Sequence, residues 1–151
     1  MDRYTLLFLA LRQLLPKSFH ITFGSVIENP AKYPNAVGVS FKGGTPSHRV
    51  LSSGRYAVRG TRVVMNIVTA PSTVVKGAVT ETAHEALAKG YSMVQSFLDN
   101  LELLNNYTYS DSKTGESVTI LLAETLGDIN QFGFNNNGQP VFSIHFSLSY
   151  V

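Results

Sequence analysis

The chain has 151 residues, enough for one domain with a sizeable core, and 44% of them are apolar while only 15% are charged. A charged share well below the usual ~25%, joined to that apolar content, excludes a disordered chain. The absence of cysteine excludes disulfides, thiolate zinc sites and cysteine nucleophiles and fits a reducing compartment, and the net charge is a modest +2.

Tyr4, Leu7, Phe8, Leu11, Leu14 and Leu15 recur at three- and four-residue intervals, the stripe of an amphipathic helix that Pro16 ends. Leu6, Leu9 and Ala10 widen the stripe beyond one face. Two readings follow: a helix deeply buried in its own domain, or a helix that also meets another subunit through Leu6 and Leu9. Arg3 followed by an apolar run resembles a signal peptide. However, Arg12 interrupts the run, no small-residue cleavage site follows, and the stretch is too short to cross a membrane. A soluble intracellular product with no membrane partner is expected.

Phe19 to Ile27 reads as a strand, followed by a loop from Glu28 to Asn35 with Pro30 and Pro34. Ala36 to Lys42 is the next strand, with Val37, Val39 and Phe41 on one face, and Gly43-Gly44-Thr45-Pro46 breaks it. Ser47 to Arg55 is polar and basic and reads as a long exposed loop or an arm-like hairpin. Tyr56 to Ala70 is the longest β-like run; its second half is apolar on both faces, as in a central strand, and its first half is expected to extend past the core. A second helix spans about Thr82 to Leu101, opened by the Thr82/Glu85 capping box, with Ala83, Leu87, Gly90, Val94, Phe97, Leu98 and Leu101 as its buried stripe.

Asn105 to Gly115 reads as a polar loop, Val118 to Ala123 as a short strand, and Gly127 to Phe134 as strand or irregular. Asn135-Asn136-Asn137-Gly138 is a hairpin turn signal, since Asn and Gly tolerate positive φ. It leads into Pro140 to Val151, where Phe142, Ile144, Phe146, Leu148 and Tyr150 alternate with Ser143, His145, Ser147 and Ser149. This last strand is expected to be paired in the main sheet. The whole is a single α+β domain, 1–151: a mostly antiparallel sheet with two main helices on one face and a long hairpin or arm.

The chemistry-bearing residues form no recognisable centre. His20, His48, His84 and His145 lack metal-ligand spacing, and no nucleophile elbow or phosphate loop is present. No catalytic, cofactor or metal residue is therefore expected, and the chain reads as a non-enzyme. Charge is the remaining signal. No acid lies between Glu28 and Glu81, whereas Lys32, Lys42, Arg49, Arg55, Arg59, Arg62 and Lys76 do, and eight of the ten acids lie from Glu81 onward. The basic interval is either a solvated surface or a docking element for an acidic partner, protein or nucleic acid. Its aromatics are too sparse for a single-strand stacking platform, which favours protein.

The order of a Pro-ended helix, a strand, the Glu28-Asn29-Pro30 and Tyr33-Pro34 segment, a strand, Gly43-Gly44-Thr45-Pro46, an arm, a long strand, the Thr82–Leu101 helix and a closing hairpin at Asn137-Gly138 resembles the tail terminator proteins of long-tailed bacteriophages, some labelled minor capsid proteins. The likeness covers nearly the whole chain in layout, including the Pro-containing loop and the alternating final strand. It implies a virion structural protein assembled in the host cytoplasm. Copies would form a homo-oligomer, a hexameric ring, at the head-proximal end of the tail tube. The ring stops polymerisation of the tube protein, presents a surface to the head-completion (stopper) protein and lets DNA pass through its lumen, with no cofactor. Under that reading Arg49, Arg55, Arg59, Arg62, Leu6 and Leu9 are the candidate partner contacts. The alternatives are another neck or tail component, such as a stopper or tube subunit, or a small ligand-binding α+β domain.

Overall fold

The computed structural model describes residues 1–24, 32–43 and 58–151. The first helix, α1 (Arg3–Leu14), starts at Asp2, whose carboxylate accepts from the Thr5 amide at 2.9 Å and the Thr5 hydroxyl at 2.6 Å. It stops at Leu15, held extended ahead of Pro16 as the proline ring requires. Leu6, Leu7, Phe8, Ala10 and Leu11 are all buried, so most of the widened stripe is spent inside the monomer.

Among the described residues seven strands make one sheet. β1 (His20–Phe23) runs parallel to β2 (Ala36–Lys42), and every other pairing is antiparallel. β3 (Arg59–Val68) pairs with β2 on one side and with the last strand on the other. A detached hairpin, β4 (Val74–Val75) and β5 (Ala78–Val79), follows; it turns on Lys76 and Gly77, both at positive φ, which suits the twist of a two-residue hairpin. Next come α2 (Ala83–Asp99) and a 3-10 turn (Asn100–Leu104), then β6 (Tyr107–Ser110), β7 (Ser117–Thr125), β8 (Asn130–Phe134) and β9 (Pro140–Tyr150).

The sheet order is β1-β2-β3-β9-β7-β6, so the final strand is central. β3 covers one edge of β9 from Val141 to Tyr150. The other edge is shared: β7 takes Phe146 to Tyr150 and β8 takes Pro140 to Ser143. At the handover the Leu126 amide donates to the His145 carbonyl at 2.8 Å. Phe142, Ile144, Phe146, Leu148 and Tyr150 point into one core with Val63, Met65 and Ile67 of β3, Val37 and Val39 of β2, and the apolar faces of both helices. The architecture is α+β, mostly antiparallel, with the two helices on one face.

Three expectations change. The Asn105–Gly115 loop contains β6, because Tyr107 and Tyr109 alternate inward opposite Ile120 and Val118. Its connection to β7 is closed by Asp111, whose carboxylate accepts from the Thr114 amide and hydroxyl at 3.0 and 2.7 Å. The first half of β3 does not extend past the core: Arg59 to Arg62 are in register with Tyr150 to Ser147, and Thr61 is fully buried with its hydroxyl donating to the Lys42 carbonyl at 3.2 Å. In α2, Ala83 is exposed and Ala86 takes its place in the stripe, because the helix meets the sheet through Ala86, Gly90, Val94 and Phe97. The first strand spans His20–Phe23 and the described residues break off after 24; the Ser47–Arg55 arm and half of the Glu28–Asn35 loop, residues 28–31 with Pro30, lie outside the described residues.

Candidate partner interface

The basic residues separate by face. Arg59 and Arg62 are both exposed, but three residues apart on one strand they point to opposite sides of the sheet. Arg59 stands opposite Tyr150 at the end of the helix-covered face. Burial raises the Tyr150 phenol above the ordinary tyrosine range, while the positive charges of Arg59 and Arg3 oppose the rise. Arg62 stands on the open face directly across from Lys42 of β2. Two like charges facing each other across an antiparallel pair disfavour the fold. Among the described residues neither makes an ion pair. The same cross-strand row continues through Ser147 of β9 to Glu124 of β7. Arg49 and Arg55 lie outside the described residues.

The two leucines also part company. Leu6 is 2% exposed and belongs to the monomer core, so it has no surface to offer a partner; Leu9 is half-buried at the edge of that core. The N-terminal turn of α1 is tied to the sheet, with Arg3 donating to the Ser117 carbonyl at 2.8 Å.

Large apolar side chains instead reach the surface elsewhere. The β4–β5 hairpin exposes Val74 at 57% and Val79 at 65%, and β8 exposes Phe132 at 65%. A third group surrounds β1: Phe23, 54% exposed, lies edge-on to Phe8 at 4.9 Å, and Tyr4 stacks on Phe41 at 5.3 Å. The hairpin follows the Val68 end of β3, whereas Phe23 and Phe41 lie toward the Arg62 end of the sheet. The sequence holds a signal for the hairpin, Val74-Val75 and Val79 flanking the Gly77 turn position.

Between the end of α2 and β7 runs an open groove of about 750 Å³. Leu98, Leu101 and Ala123 form its apolar lining, and Asp99 and Glu102 stand on its helix side; Glu124 borders it as well, but its pairing with Ser147 puts its side chain in the open-face row of Arg62. β6 pairs β7 only as far as Ile120, so the groove borders a part of β7 that β6 leaves uncovered. There Asn105 Oδ1 accepts from the Ala123 amide at 2.9 Å. Sequence reasoning missed this site; its signal was the gathering of acids from Glu81 onward.

The described histidines stay apart, and His48 lies outside the described residues. His20 stacks on Tyr33 with ring centres 3.7 Å apart, and His145 shares a 3.3 Å hydrogen bond with Ser143. Among the described residues no three His, Asp or Glu side chains are placed to hold a metal ion, and no helix is long and apolar enough to cross a membrane. No family model matches the chain, and no curated protein matches it.

Proposed function

We propose that this chain is a tail terminator. In this reading it is a non-enzymatic virion protein whose copies, six by the family's pattern, close a ring at the head-proximal end of a bacteriophage tail tube. The ring stops tube polymerisation and receives the head-completion protein, and DNA passes through its lumen.

The observation that carries the reading is the separation of exposed apolar groups on a weakly charged chain: the Val74/Val79 hairpin, Phe132 on β8, and the Tyr4–Phe23–Phe41 group. Exposed apolar surface of this kind marks contact sites. A ring needs two different patches per subunit, because each copy meets its neighbours head to tail, and the rotation per step decides closure. Lys42 and Arg62 are read as a protein contact, not a DNA contact. A lumen that bound phosphates strongly would retard passing DNA.

The test is assembly with tail-tube subunits, read by particle mass and by tube length in electron micrographs. A terminator gives capped tubes of limited length and no filaments of its own. Self-polymerisation would identify a tube subunit. Unchanged tube length, with binding only on the head side, would identify a stopper, and either outcome discards the reading.

A further inference from the structure

The groove beside α2 and the Lys42/Arg62 pair are unsatisfied in complementary ways. Asp99 and Glu102 bring two carboxylates beside an apolar lining, and no cation pairs with them among the described residues; Asp99 accepts from Gln95 at 2.9 Å. Lys42 and Arg62 place two cations side by side with no carboxylate partner among the described residues. Within one subunit Arg62 and Glu124 share a cross-strand row, yet Ser147 stands between them, about two strand spacings of roughly 5 Å each, and no ion pair joins them. Each cluster therefore keeps its own like-charge repulsion in the isolated chain.

We propose that the two clusters are the halves of one contact between copies of this chain: Lys42 and Arg62 of one subunit seat on the carboxylates of the α2/β7 groove of the next. The occupant is a second copy because both complementary surfaces belong to the same sequence, on different flanks of the sheet. β2 and β3 lie to one side of the central β9, and β7 lies to the other. A contact between two different patches closes a two-fold dimer when the same pair of subunits reciprocates it and links subunits head to tail when it does not; the ring reading takes the second. The guanidinium of Arg62 can hold a carboxylate at two points, which fixes orientation as well as charge. This contact deepens the ring reading and rests on it for closure of the chain of subunits.

The experiment uses two reversed chains, Lys42→Glu/Arg62→Glu and Asp99→Lys/Glu102→Lys, with mass photometry and sedimentation as readouts and circular dichroism as the check on folding. The parent is expected to associate, and less so as salt rises. Each reversed chain alone is expected to lose the assembled species. An equimolar mixture is expected to regain it, because the reversed groove of one chain accepts the reversed pair of the other. A folded mixture that stays monomeric overturns the proposal. So does a parent that shows no association at the highest soluble concentration, or a single reversed chain that assembles like the parent. If reversal unfolds either chain, Lys42→Ser/Arg62→Gln and Asp99→Asn/Glu102→Gln replace the pair, with weakened association expected for both and parental association overturning the contact. The tube assay separates this proposal from the one above. Reassembly without capping keeps the contact and removes the terminator reading; capping by a single reversed chain does the opposite.

Discussion

Gly90 of α2 lies directly against Phe142 of β9. A Cβ at position 90 would stand 2.7 Å from two carbons of the Phe142 ring and 2.6 Å from the Thr69 hydroxyl. Phe142 is fully buried, so the ring has nowhere to retreat. The missing side chain is what lets the second helix settle on the central strand.

Gly90→Ala sets two effects against each other. Alanine favours the helix by ~1 kcal/mol, whereas forcing a methyl into a filled core costs ~1–3 kcal/mol and at times more. With contacts below 3 Å on a fully buried ring, the clash is expected to win and the denaturation midpoint to fall. Adding Phe142→Leu should recover part of the loss. A Gly90→Ala chain as stable as its parent would show that the helix does not sit on Phe142.

Phe146 and Leu98 are expected to behave differently. Phe146 is fully buried at the centre of the sheet, and Phe146→Ala should cost ~3–5 kcal/mol. Leu98 is half-buried on the wall of the α2/β7 groove, so Leu98→Ala should cost less than that. Urea titrations of the two variants rank them; equal losses would contradict the burial pattern.

The β4–β5 hairpin separates folding from assembly. Its valines touch little of the core, and exposed substitutions usually shift stability by no more than ~0.5 kcal/mol. Val74→Ser with Val79→Ser should leave the melting temperature near parental and reduce tube capping. Normal capping by this variant would remove the hairpin from the interface.

Stability should fall at both ends of the pH range. Hydrogen bonds from Thr5 hold the Asp2 carboxyl below its ordinary range, and those from Thr114 do the same for Asp111. A lowered carboxyl stabilises the fold above its unfolded value of ~3.9 and loses that contribution as pH falls through the folded value. Burial raises the Tyr109 phenol, reinforced by Asp111, and burial raises that of Tyr150. A raised phenol keeps its contribution below ~10 and loses it as pH climbs through the folded value. Melting curves from acid to alkaline buffer should show both declines, and Asp111→Asn should shallow the acid one.

Much of the fold was legible in the chain because its signals are local. The three- and four-residue spacing from Tyr4 to Leu15, the cap at Thr82 and the alternation from Phe142 to Tyr150 each arise from backbone geometry within one element. Those patterns determined two helices, a buried final strand and the α+β class. They also showed that bases and acids occupy different stretches. β6 was missed because its four residues sit among turn formers, and only pairing with β7 makes Tyr107 and Tyr109 a strand.

Tertiary structure alone decided what lies beside what. It made β9 central by giving one of its edges to β3 and dividing the other between β7 and β8. It spent Leu6 inside the monomer, sent Arg59 and Arg62 to opposite faces, set Lys42 against Arg62, and brought Asp99 and Glu102 beside one groove. A charge in sequence carries no address. Its neighbours follow from strand register and helix placement, and those are set by the total burial of the core, to which every element contributes at once.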